Sequence, residues 1–141
     1  MKRTRYLTAD QIVHAHQILL ERWGGDEGGG HRGASYEGVE AAMQAVKNSY
    51  YEPLVDLAAA YAVYIVQGHV FLDGNKRTGA AAMLAFLELN GSRLAMRNTR
   101  LFELMIDLQE RSESGESTAT LVHWLSSSLE VGAAGRPKRT R

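Results

Sequence analysis

An all-α fold is predicted for this chain, a compact bundle of about six helices, and three observations predict it. Apolar residues recur at helical spacing in one segment after another. The run Leu54 to Val66 is apolar nearly all round, the mark of a helix surrounded by others. No internal repeat is visible, nor any series of strands with hairpin signals. At 141 residues the chain is expected to be one domain with a core of its own.

The elements follow in order. Thr8 and Gln11 have the spacing of a capping box, in which a hydroxyl and an amide satisfy free backbone N–H groups. From Ala9 to Trp23, Ile12, Leu19 and Leu20 recur near helical spacing, and Val13 and Ile18 widen the apolar face. Gly24 and Gly25 stop that helix, and the glycine-rich stretch to Gly33 reads as a flexible loop. A second helix is expected over Tyr36 to Tyr51, with Val39, Met43 and Val46 on one side. Pro53 marks a new start, because proline is tolerated in the first turn of a helix. Lys76 to Leu89, rich in alanine and leucine, is a strong helix, and Asn90-Gly91 is its natural stop. Ser92 to Met96 reads as a short extended piece. Asn98 or Thr99 is expected to cap a helix to Glu110, and Ser117 or Thr118 one to about Leu129. The folded domain is thus placed at residues 6–131, with a basic disordered tail at 132–141.

Composition excludes several classes. The chain has no cysteine, which rules out disulfides, thiolate metal sites and a cysteine nucleophile. The basic start is followed by no apolar stretch of signal-peptide kind. The run Leu54 to Val66 is interrupted by Asp56 and too short to span a bilayer. A cytoplasmic protein without membrane contact is expected. Sixteen basic and sixteen acidic residues give a formal net charge of zero, which hides an asymmetry. Lys2, Arg3, Arg5, Arg136, Lys138, Arg139 and Arg141 lie in the two ends, so the body between them is acidic. An acidic body argues against a nucleic-acid-binding face, and no direct nucleic-acid binding is expected.

The chemistry concentrates between the two most apolar helices, where a brief neutral connection would be ordinary. Instead His69, Asp73, Asn75, Lys76 and Arg77 fall within nine residues. Gly74 lets the backbone turn tightly and approach a ligand. The helix that begins near Asn75 directs its N–H groups and positive dipole end outward, an anion site suited to phosphate oxygens. Lys76 and Arg77 add full charges, and Arg77 can grip phosphate with two parallel hydrogen bonds. Asp73 is a hard oxygen ligand suited to Mg²⁺. His69 carries an imidazole, a side chain that can take a proton from an attacking hydroxyl. Phe71 anchors the loop in the core, and Asn75 can fix the turn. A purely structural reading makes Asp73 a helix-end charge worth about 0.3–1 kcal/mol and the two cations a solvated face. That reading must then explain a base, an acid, a turn glycine and two cations in one short loop.

The segment His69-Val70-Phe71-Leu72-Asp73-Gly74-Asn75-Lys76-Arg77 resembles the signature of the Fic/Doc superfamily, and more closely its death-on-curing (Doc) branch. The flanks Leu7-Thr8-Ala9-Asp10, Arg32-Gly33 ahead of Glu40-Ala41-Ala42-Met43, and Phe86-Leu87-Glu88-Leu89-Asn90-Gly91 also look like family features. The resemblance covers residues 6 to 130 or so. It implies a helical core whose motif loop, between two central helices, binds ATP and Mg²⁺. His69 is then the general base, Asp73 the metal ligand, Gly74 and Asn75 the anion-binding turn, and Lys76 and Arg77 the phosphate holders. The acceptor is a side-chain hydroxyl of another protein.

Two reactions are known for such a motif. Fic members with glycine after the asparagine and a second arginine later transfer AMP, whereas Doc-like members with lysine there act as kinases. Lys76 and Ala80 occupy those two positions here. A lysine blocks the close backbone approach that glycine permits and adds charge in the phosphate path. Both departures point to phosphoryl transfer. Gly74 and Val70, where some Doc proteins have alanine and proline, leave AMP transfer open, and phosphoryl transfer needs mainly positioning and charge stabilisation. A third alternative is a non-catalytic helical module whose basic ends hold nucleic acid or a partner.

The Doc resemblance further implies a toxin that arrests translation by modifying elongation factor Tu. Its cognate antitoxin would be Phd-like, with a disordered tail that folds as a helix into an apolar groove. Ser112 and Glu116 have the spacing of a self-inhibitory segment, but Ser117 follows where glycine or asparagine is expected. Other noticeable residues have plainer readings. His14 and His16 point about 200° apart on a helix and share no metal. His31 is a loop histidine, and His123 and Trp124 are read as packing residues. Tyr50 and Tyr51 are read as wedges against the next helix, and Trp23 as closing the first one.

Overall fold

The computed structural model describes residues 3–23, 36–70 and 74–133, without the side chains of residues 18–23 and 133. The described residues form six α-helices and one small antiparallel sheet: α1 (Ala9–Trp23), α2 (Tyr36–Lys47), α3 (Leu54–Gln67), α4 (Asn75–Leu89), β1 (Ser92–Leu94), α5 (Asn98–Glu113), α6 (Thr118–Ser128) and β2 (Val131–Ala133).

The expected central helix is α3. Leu57 through Val63 are buried without a break, followed by Ile65 and Val66. It packs against α2, α4, α5 and α6. Its run of small side chains, Ala58, Ala59, Ala60 and Ala62, lets those neighbours come close. The tightest approach is to α4, where a Cβ on Gly79 would lie 3.3 Å from Val66 Cγ2 and 3.4 Å from Ala62 Cα. Tyr61 of α3 packs its ring on Phe86 of α4, centroids 5.1 Å apart, and the Tyr6 ring lies 6.3 Å from that of Phe86. The Tyr61 hydroxyl accepts the Leu7 N–H at 3.0 Å, which pins the segment entering α1 to the central helix. Burial pushes the Tyr61 phenol up to about 12, against the lowering effect of that N–H.

The capping box forms as expected. Gln11 N donates to Thr8 Oγ1 (3.2 Å) and Thr8 N to Gln11 Oε1 (2.9 Å). Tyr36 OH donates to Asp10 Oδ1 at 2.7 Å and ties α2 to α1. Ser117 caps α6 by accepting the Thr120 N–H at 3.2 Å.

Four expectations are corrected. Helix α2 ends at Lys47 rather than Tyr51, because Ser49 turns back and donates both its N–H and its hydroxyl to the Val46 carbonyl. Helix α5 runs on to Glu113, and its N-cap is the extended Arg97, with no side-chain cap bond from Asn98 or Thr99. Gly132 and Ala133, assigned from composition to the tail, are strand residues. They pair as Arg93↔Gly132 and Ser92↔Ala133, and Ala95 N donates to Glu130 O at 2.7 Å. Residues 134–141 lie outside the described residues. Finally, Tyr50 is 99 % exposed and wedges against nothing, and His123 is exposed, whereas Tyr51 and Trp124 are partly buried against the core.

Candidate active site

The connection between α3 and α4 is built by two backbone devices. The first ends α3. Val70 N donates to Ile65 O (3.4 Å) and His69 N to Val66 O (3.2 Å), the paired bonds of a Schellman motif closing on Gly68. That motif puts its next residue in the left-handed region, a place glycine normally takes. Here it is His69, with φ 47°. Histidine tolerates this region better than most side chains, yet it carries a strain of order 1 kcal/mol. The result is an exposed imidazole, projected at the point where α3 ends.

The second device starts α4. Gly74 adopts φ 83° and ψ 15°, and its carbonyl accepts the Thr78 N–H at 2.9 Å, the first bond of the helix. Only a glycine takes that conformation without cost. Asn75, Lys76 and Arg77 then form the first turn. Helices α1, α2 and α3 each carry an acid in the first turn, as the helix dipole favours. Helix α4 carries two cations instead, each opposed by the dipole by about 0.3–1 kcal/mol. Such an arrangement works against the helix and in favour of a bound anion. Thr78, Gly79 and Ala80 follow as buried residues, so the first turn is anchored in the bundle.

Two clefts are lined by residues from the ends of α3 and α4. His69 lines one of about 540 Å³, walled by Gly38, Ala41 and Ala45 of α2 and by Tyr64. Lys76 and Arg77 line another of about 440 Å³ between α4 and α5. Its walls are apolar: Ala80, Leu84, Phe102 and Ile106, the last three partly exposed. Lys76 Nζ donates to Gln109 Oε1 of α5 at 2.6 Å, whereas Arg77 is exposed. The two ion pairs among the described residues, Arg100–Glu103 and Arg111–Glu116, involve neither cation. A somewhat larger cavity, lined by Arg3, Arg5, Glu88 and Asn90, lies at the other end of the α3–α4 pair, away from this chemistry.

The structure therefore brings Lys76 and Arg77 to one cleft and His69 to another. Asp73, the expected metal ligand, and Phe71 lie outside the described residues, as do His31 and the rest of the glycine-rich segment. Among the described residues no group of three or more His, Asp or Glu side chains could hold a metal ion. Nor is any helix among them long and apolar enough to cross a membrane. Glu116 is engaged with Arg111 Nη1 at 3.1 Å, and Arg111 in turn stacks over Trp124, 4.4 Å from the ring centroid. Sequence reasoning missed Gln109, which carries no motif signal, and the left-handed His69, for which Gly68 at the end of an apolar helix was the available hint.

The model of the Fic/DOC family matches residues 6–87, a span that holds α1 through most of α4 and the whole connection. The chain is 33 % identical over 90 residues to the protein kinase doc of Escherichia phage P1, an overlap of 62 % of this chain and 69 % of that protein. It is 32 % identical over 97 residues to the toxin Doc of Mycolicibacterium smegmatis, covering 65 % of this chain and 69 % of that one. A family match over more than half of its length, together with two relatives about a third identical to it, shows that this chain belongs to the Fic/DOC family.

Proposed function

We propose that the chain is a Doc-type toxin that acts as a protein kinase, moving the γ-phosphate of ATP to a side-chain hydroxyl of another protein. The observation that carries the reading is the pairing of Lys76 with Ala80, a lysine in the phosphate path and no second arginine beside it. The relatives named protein kinase doc and toxin Doc support it. In this reading His69 Nδ1 or Nε2 accepts the proton of the attacking hydroxyl. The hydroxyl oxygen bonds to the γ-phosphorus, the bond from that phosphorus to the β–γ bridging oxygen breaks, and ADP leaves. Lys76, Arg77 and the α4 N-terminus hold the phosphate charge. Gly74 and Asn75 shape the anion-binding turn, and Asp73 would hold Mg²⁺, which neutralises phosphate charge when bound.

The proposed target is translation elongation factor Tu, and the proposed inhibitor is a Phd-like antitoxin. The apolar cleft between α4 and α5, with Leu84, Phe102 and Ile106 along it and two cations at its mouth, suits an amphipathic antitoxin helix with an acidic end. The deciding experiment incubates the purified, antitoxin-free protein with elongation factor Tu and ATP labelled at either the γ- or the α-phosphate. Label from the γ position alone is the expected result. Gly74, shared with the AMP-transferring pattern, favours adenylyl transfer as a second reading; label from the α position would establish that and overturn the kinase. Silence from both, in folded protein, removes both reactions.

A further inference from the structure

Lys76 is one of the two residues that carry the kinase reading, and its partner is a neutral amide. Lys76 Nζ donates to Gln109 Oε1 at 2.6 Å, across the seam between α4 and α5. The other end of the same amide is also engaged: Gln109 Nε2 donates to Glu113 Oε2 at 3.0 Å, one helical turn further along α5. An ammonium can only donate and a carboxylate can only accept, so the chain Lys76–Gln109–Glu113 has one consistent orientation for the amide. Glu113 holds the amide N–H₂, and this points the amide oxygen at the lysine.

The identity of the middle residue matters. Two carboxylates, Glu110 and Glu113, stand on the same helix near Gln109, yet neither is in ion-pair contact with Lys76 among the described residues. A carboxylate at position 109 would hold the ammonium equally well and cancel its charge. The amide fixes the long, flexible side chain through one hydrogen bond and leaves the charge for another anion. Lys76 is half-buried, so an unheld ammonium there would lose part of its hydration without an orientation in return. Nothing in the motif itself encodes this arrangement, as Gln109 lies 33 residues away.

We propose that Gln109 is a positioning residue that aims the Lys76 ammonium at the nucleotide phosphates while keeping its charge uncancelled, with Glu113 orienting the amide. The proposal rests on the reading of Lys76 as a phosphate holder. Its test is ATP binding in the presence of MgCl₂, measured by calorimetry on the full chain, for wild type, Gln109→Glu, Gln109→Met, Lys76→Met and the two double variants. Gln109→Glu should weaken ATP binding about ten-fold or more, the worth of one charged hydrogen bond, because an ion pair now competes for Lys76. Gln109→Met should weaken it less, and both losses should vanish in the Lys76→Met background. Undiminished binding by Gln109→Glu, or equal losses with and without Lys76, overturns the positioning role. Should Gln109→Glu melt well below wild type, the Gln109→Met cycle decides alone. Wild type that binds no ATP while folded refutes the phosphate-holding reading itself, and the positioning role with it.

Discussion

Replacing Tyr61 by phenylalanine removes one oxygen from the middle of the bundle and leaves the ring in place. The phenol is fully buried, its ring is seated on Phe86, and its oxygen accepts the Leu7 N–H at 3.0 Å. The variant keeps the ring contact and strands a buried amide, which costs about 1–2 kcal/mol at neutral pH. For a domain of this length that is a fall in Tm of about 3–7 °C. The alkaline limb carries the second half of the prediction. Burial raises the folded-state pKa of Tyr61 from 10.0 to about 12. A group raised in the folded state contributes stability that is fully present below the unfolded value and is lost as pH rises to the folded one. Wild type should therefore shed about 2–3 kcal/mol between pH 10 and pH 12 on account of Tyr61, and Tyr61→Phe should not. The two stability curves, from urea denaturation at stepped pH, are expected to approach and cross in that window. Parallel curves would refute the assignment of a buried, bonded phenol, because every other titrating side chain is common to both proteins.

Three further outcomes are expected. His69→Gly should lower transfer to the acceptor about 10²–10⁴-fold yet raise stability by about 0.5–1 kcal/mol, since glycine relieves the left-handed strain. His69→Ala should lose transfer without that gain, so equal denaturation midpoints for the two variants would count against the strained conformation. Asp73→Ala should weaken Mg²⁺-dependent ATP binding about ten-fold or more, and an unchanged dependence on MgCl₂ would end its role as metal ligand. Gly79→Val should destabilise by about 1–3 kcal/mol, because its Cβ meets Val66 Cγ2 at 3.3 Å and the immobile Ala62 Cα at 3.4 Å. A urea midpoint at or above that of wild type would show that the α3–α4 seam can open.

Where the sequence was read correctly, the signal was local. Thr8 and Gln11 sit three residues apart and formed their reciprocal bonds as that spacing demands. The all-round apolar run over Leu54 to Val66 could only be satisfied in the middle of a bundle, and α3 lies there. Asn90 and Gly91 ended α4 for the reason glycine usually does, with Gly91 at φ 84°. Where the reading failed, a competing contact decided. Ser49 spent its hydroxyl on the Val46 carbonyl and cut α2 short. Gly132 and Ala133 look like tail by composition, but strand β1 offered them a partner.

The site divides in the same way. The motif His69 to Arg77 declares its chemistry in one dimension, because base, acid, turn glycine and cations are neighbours in the chain. The tight turn at Gly74 and the cationic start of α4 were legible in that order of residues, and the structure adds that Gly74 is left-handed. The rest was decided by tertiary packing: the cleft in which Lys76 stands, and the amide of Gln109 that holds it. Periodicity tells which face of a helix is buried, over spacings of three and four residues. It does not tell how far two helices rotate against each other, and only that rotation brings residue 109 to residue 76.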